Sequence, residues 1–173
     1  MTRRVLCVCA MGAALTLVAI AWTSPALAQT FSGKQYYWTY AAKTKEILQN
    51  ADCSVAATLQ FVSRKNVLLI GSEVCGGIER GFFLEGKMTP SGSLKLRFPD
   101  FIPIVEILKA HTGCTVVGPF PKYHGILKDG VLHAETHFYS QCNEHWPAND
   151  IFPTPVDGPV HWNWTIDLEL EVP

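Results

Sequence analysis

Downstream of Lys128 the chain has no lysine and no arginine. The 45 residues from Asp129 to Pro173 carry eight acids and four histidines instead. A segment of that charge repels a phosphate backbone, which excludes nucleic acid as its partner and suits cations or basic surfaces. From Gln29 to Lys128 the balance reverses, with 12 Lys/Arg against 7 Asp/Glu. Strands from the two parts can therefore lie side by side and cancel. Catalytic signatures are missing as well. There is no G-x-S-x-G, no H-E-x-x-H, no phosphate loop and no dinucleotide fingerprint. Each absence removes one enzyme class, and a non-enzyme is the favoured reading. No repeat or low-complexity tract occurs, so a solenoid is excluded.

Long charge-free apolar runs are also scarce. The one present, Val5 to Trp22, follows Arg3-Arg4 and precedes Ala26-Leu27-Ala28. Basic start, apolar middle and small-residue exit are the parts of a secretory signal peptide. The expected organisation is a signal peptide over residues 1–28 and one domain over 29–173, periplasmic or secreted. No membrane span is expected after cleavage.

That leaves four cysteines: Cys53, Cys75, Cys114 and Cys142. An even number in an exported chain reads as two disulfides. Turn positions select the pairing. Ser63-Arg64-Lys65-Asn66 separates two strand-like runs, and a hairpin there brings Cys53 within one position of Cys75, given a small bulge. Asp129-Gly130 is a strong two-residue hairpin signal, because both turn positions need positive φ. Counting back from it sets Cys142 opposite Val117, close to Cys114. The expected bridges are Cys53–Cys75 and Cys114–Cys142.

The rest of the chain reads mostly as antiparallel strands. Glu79 to Thr89 and Ser93 to Phe98 flank the turn Thr89-Pro90-Ser91-Gly92. In the last run, Trp162, Trp164, Ile166, Leu168, Leu170 and Val172 alternate with polar residues, which predicts one dry and one wet face. Two helices are expected besides. Ser32 to Gln35 resembles a capping box, and the spacing of Tyr36, Tyr37, Tyr40, Ala41, Ile47 and Leu48 predicts a helix over Lys34 to Gln49. Asp100, Pro103 and Gly113 punctuate a second, short and apolar helix that can plug or lid a barrel. The fold class is α+β and mainly antiparallel β: a small meander barrel or strongly bent sheet with an N-terminal helix and a short mid-chain helix.

The candidate sites cluster late. Val131 to Tyr139 places Leu132, Ala134, Thr136 and Phe138 on one face and His133, Glu135, His137 and Tyr139 on the other. Imidazoles and a carboxylate suit zinc. Alternate residues on a strand lie about 6.7 Å apart, however, so three ligands from one strand do not converge. A two-residue turn at Asp129-Gly130 adds a group by setting His124 opposite Glu135, whereas a three-residue turn, Lys128-Asp129-Gly130, puts Tyr123 there and weakens the cluster. The metal candidates are thus His124, His133, Glu135 and His137, with zinc as the cofactor and a metal-dependent enzyme as the consequence. The plainer reading is a solvated face of paired histidines and acids.

The main functional expectation is a binding protein for a small apolar or amphipathic ligand, without catalysis. If the histidine face points inward, Tyr139, His161 and Asn163 contact that ligand, with Trp146 from the long loop. A third reading makes the 143–159 loop, anchored by Trp146, the contact surface of an interaction or inhibitor module. Mass spectrometry of the exported protein should give Gln29 as the first residue and no free thiol. A retained leader or four reactive cysteines would contradict this.

Overall fold

The computed structural model describes residues 28–146 and 156–172. The expected leader, apart from Ala28, and residues 147–155 of the long loop lie outside the described residues. So does the side chain of Trp146.

The chain forms β1 (Ala28–Ala41), β2 (Ile47–Phe61), β3 (Asn66–Cys75), β4 (Ile78–Met88), β5 (Ser93–Arg97), α1 (Ile102–Thr112), β6 (Cys114–Val117), β7 (Lys122–Lys128), β8 (Val131–Trp146) and β9 (Val156–Leu170). Every strand pairing is antiparallel. The order β8-β7-β5-β4-β3-β2-β1-β9 closes on itself through β8–β9, giving an eight-stranded barrel with β6 as an additional strand. Closure satisfies the backbone groups that an open sheet would leave at its edges.

The turns form as their residues dictate. Asp129 and Gly130 have φ of 52° and 79°, and Lys128 faces Val131 across them. His124 therefore lies opposite Glu135. The β2–β3 hairpin closes one residue tighter than the sequence suggests, with Phe61 rather than Val62 facing Val67. This register sets Cys53 against Cys75 with no bulge. The two form a disulfide with Cα atoms 4.5 Å apart. Cys114 and Cys142 form the second, at 3.9 Å, because β6 pairs with β8 in its own register.

The expected helix over Lys34 to Gln49 does not exist: these residues belong to β1, a tight turn and β2. The reason lies in the two faces of β1. Phe31, Gln35 and Thr39 are buried, while Lys34, Tyr36 and Tyr40 are partly covered on the outer side. Polar and aromatic groups occur on both faces, so no clean alternation marks the strand. The tyrosine spacing that resembles a helix samples both faces of a strand. Aromatic and β-branched residues favour that pleated state.

The mid-chain helix forms as α1. Asp100 Oδ1 accepts from the Ile102 N–H at 3.0 Å, Pro103 lies in the first turn, and Gly113 ends the helix at φ 65°. The position of α1 follows from strand lengths. β5 ends at Arg97 and β7 begins at Lys122, whereas β8 and β9 have 16 and 15 residues (Asn143 to Trp146 described as backbone only). One wall is therefore short, and the segment between β5 and β7 covers the end of the barrel above it. β6 continues the sheet beyond β7: β7 pairs with β8 up to Glu135, and β6 with β8 from Tyr139 to Cys142. The Cys114–Cys142 disulfide thereby ties the end of α1 to the long wall.

The two halves of the interior differ. Toward the Val62–Lys65 and Asp129–Gly130 turns, Phe31, Leu59, Leu69, Leu96, Leu132 and Leu168 are fully buried and fill the barrel. Truncating one of these leucines to alanine should cost about 2–5 kcal/mol. In β9 the expected dry face holds for Trp162, Trp164, Ile166 and Leu168, but Leu170 is half-buried and Val172, beyond the strand, is 85% exposed. The barrel ends before the sequence alternation does.

Glycines mark places where strands approach too closely for a side chain. A Cβ on Gly86 would lie 1.9 Å from the Lys95 carbonyl oxygen, and one on Gly125 would lie 2.1 Å from that of His133. Gly86→Ala should lower stability by about 1–3 kcal/mol, as overpacking does. The urea midpoint reads this out, and an unchanged midpoint would show that β4 and β5 are farther apart than described.

Candidate functional site

The other half of the barrel, beneath α1, is hollow. A cavity of about 390 Å³ opens there. Eight-stranded barrels have an interior just wide enough to be filled by side chains or to hold one small ligand. Here both occur, at opposite ends. Ile104 and Leu108 of α1 form the roof, Phe98 and Phe82 one side, and Trp162 and Trp164 the other. The small side chain of Ala51, in register with Tyr37, leaves part of the space open. The aromatic rings support one another: Trp164 lies edge-on to Phe138 at 4.8 Å, to Tyr37 at 5.4 Å and to Phe98 at 6.4 Å between centroids. Trp162 Nε1 donates to Ser140 Oγ at 2.7 Å, which satisfies a buried indole N–H.

A few polar groups converge on this apolar space. Glu73 from β3 is buried, at 8% exposure, and accepts a hydrogen bond from the Tyr37 hydroxyl. Gln35 Nε2 donates to the Tyr123 hydroxyl at 3.3 Å. Arg80 faces Glu73 across the β3–β4 pair but is exposed at the rim. Burial holds the phenols of Tyr37 and Tyr123 in the neutral form well beyond the usual tyrosine range, and the nearby Glu73 charge pushes in the same direction. For Tyr123 the Gln35 hydrogen bond opposes this, and for Tyr37 the Arg80 charge does. The Cys53–Cys75 disulfide completes the wall beside Glu73, the sulfurs and a carboxylate oxygen lying within 4.8 Å of one another.

None of these five polar residues is among the candidates read from the sequence. A signal for Glu73 exists in retrospect: in Val67-Leu-Leu-Ile-Gly-Ser-Glu-Val-Cys75 it has the parity of the core residues Val67 and Leu69.

The sequence candidates occupy the outer surface. His124, His133, Glu135, His137 and Tyr139 are exposed on β7 and β8, and Asn163 and His161 are half-exposed on β9. They form polar rows across neighbouring strands. His133 Nδ1 lies 2.5 Å from Asp167 Oδ1, and His137 Nδ1 lies 2.6 Å from Asn163 Oδ1. His137 Nε2 is 3.8 Å from Glu135 Oε1, and His124 is in register with Glu135. Among the described residues, the only three metal-ligating side chains that converge within 4.8 Å are Cys53, Glu73 and Cys75, two of which are disulfide-bonded. The histidine quartet is therefore distributed along a surface rather than gathered around one point. Tyr139 and Tyr40 sandwich His161, with centroids at 4.3 and 4.9 Å, and Lys45 lies over Tyr40 at 5.7 Å. Partial burial, then the Lys45 charge, lowers the His161 pKa.

No protein-family profile and no curated protein matches the chain. Two solved structures, both from Bacteroides ovatus, resemble it weakly. One is a structural-genomics protein of unknown function, 10% identical, with a TM-score of 0.28 over 84% of this chain and 52% of that one. The other is a multidomain protein that includes DUF1735, 9% identical, with a TM-score of 0.27 over 84% and 54%. This chain spans about half the length of either. Likeness at that level carries no functional argument.

Because the folded state keeps the Tyr37 and Tyr123 protons, its advantage is complete below the ordinary tyrosine pKa near 10 and is lost as pH rises above it. In an alkaline titration, two of the five tyrosines should yield phenolate absorbance only as the β-sheet circular dichroism is lost. Reversible ionisation of all five in a folded barrel would contradict the burial described.

Proposed function

We propose that this protein is an exported, non-catalytic binding protein that holds one small, largely apolar molecule in the hollow end of its barrel. The carrying observation is the cavity of about 390 Å³ beneath α1. Its size lies within the roughly 300–1,000 Å³ of small-molecule pockets, and its apolar walls with a few convergent polar groups are the usual composition of such sites. Among the described residues no helix is long and apolar enough to cross a membrane. Two disulfides suit an oxidising compartment, and that supports export.

Packing also favours binding. Bulky side chains fill the far end, so the hollow end is a specific departure from a solid core. A barrel built only as a scaffold gains stability by filling that space, since cavities cost energy in proportion to their volume. The disulfide tethering α1 holds the roof in place, while Ile107, partly exposed, lines the cavity with Ile104 and Leu108.

An environment-sensitive, uncharged apolar probe, 1-anilinonaphthalene, should bind the folded protein at one site and quench Trp162 and Trp164. Ala51→Trp, which places a large ring in the cavity, should weaken this binding at least tenfold with the melting temperature held within a few degrees. Unchanged binding by a folded Ala51→Trp protein would overturn the proposal.

A further inference from the structure

We propose that the ligand is cationic: a protonated amine or quaternary ammonium on a compact apolar body, its charge seated on Glu73 beside the rings of Tyr37 and Trp164. This rests on the cavity being a ligand site and adds the chemical class of what fills it.

Among the described residues Glu73 is the only acid that lines the cavity. A carboxylate that stays ionised away from water requires either a cation or several hydrogen bonds. Among the described residues its side chain receives one hydrogen bond, from Tyr37, and makes no ion pair. The protein has a cation in the right register, Arg80, directly across the β3–β4 pair. Yet Arg80 is exposed at the rim and stays beyond ion-pair distance. Among the described residues the buried carboxylate therefore has the Tyr37 hydroxyl but no cation opposite it.

The walls favour the same class of ligand. Aromatic faces attract cations, ammonium groups above all when desolvated. Tyr37 and Trp164 stand together next to the carboxylate, with centroids 5.4 Å apart, and Phe98 adjoins Trp164. Both inner phenols remain neutral, so neither adds a second negative charge that the ligand must balance. An acidic ligand fits poorly by comparison. Held by Arg80, it would remain in the watery mouth, and deeper entry would set its charge against Glu73. In a site of low polarity, like charges a few ångströms apart repel strongly.

Isothermal titration with three probes of similar body tests this: benzyltrimethylammonium, benzyl alcohol and phenylacetate. Wild type should bind benzyltrimethylammonium at least tenfold more tightly than benzyl alcohol, with phenylacetate the weakest. Glu73→Gln, nearly isosteric, should abolish the preference for the cation and leave benzyl alcohol unchanged. Arg80→Ala should keep or strengthen cation binding. Tightest binding of phenylacetate, its loss in Arg80→Ala, or a cation preference that survives Glu73→Gln would each overturn the inference. Binding of the anilinonaphthalene probe without cation preference overturns this inference alone. If neither that probe nor any of the three binds, the ligand-binding function falls with it.

Discussion

The structure depends on the hydrogen bonding of its last strand. β9 pairs with β1 from Val160 to Leu170 and with β8 over nearly its whole length. These two ladders turn a meander of hairpins into a closed wall. Without them, β1 and β8 would present long unpaired edges, and the buried faces of Trp162, Trp164, Ile166 and Leu168 would have nothing to close around. The clean alternation of β9 is the sequence expression of this role: it has a wet face and a dry face from Val160 to Leu168.

Closure by long strands has a consequence at the short wall. β5 and β7 stop well before β8 and β9 do, which leaves one end of the barrel uncovered on one side. The segment from Phe98 to Pro121 occupies that gap with α1 and β6, tied down by Cys114–Cys142. A helix laid across an opening does not fill it as interdigitated strand side chains do. Ile104 and Leu108 roof the space, and Gln35, Ala51, Glu73 and Tyr37 line it without occupying it. The hollow thus follows from strand length and side-chain choice together.

Much of this architecture is legible in the sequence, for identifiable reasons. Asp129-Gly130 favours a two-residue turn over a three-residue one, and the structure takes the two-residue form, which gives the register of β7 and β8 and the His124–Glu135 pairing. Cysteines near strand ends inherit that kind of register, which is why both disulfides can be assigned. Pro103 and Gly113 bracket a helix because proline fixes a helical φ in the first turn and glycine admits the left-handed φ that ends one. The first strand is illegible for the same reason that it is interesting. Its inward row mixes Phe31 and Tyr37 with the polar Gln35 and Thr39, and its outward row carries Tyr36, Trp38 and Tyr40, so binary patterning does not separate the two faces. The histidine row is conspicuous in sequence because it lies on the solvated face, where titratable residues are common. Glu73 is inconspicuous because a single acid in an apolar strand has meaning only once register shows that it points inward. Sequence reading therefore finds the wall and passes over the chamber.

The most direct measurement is a crystal structure under xenon pressure. Xenon enters empty apolar cavities and is visible as strong density. The account predicts xenon between Ala51, Phe98, Leu108 and Trp164 beneath α1, and none among Phe31, Leu59 and Leu132 at the filled end. Xenon-free density under α1, with side chains collapsed into that space, would contradict the claim that the barrel is hollow where it is roofed.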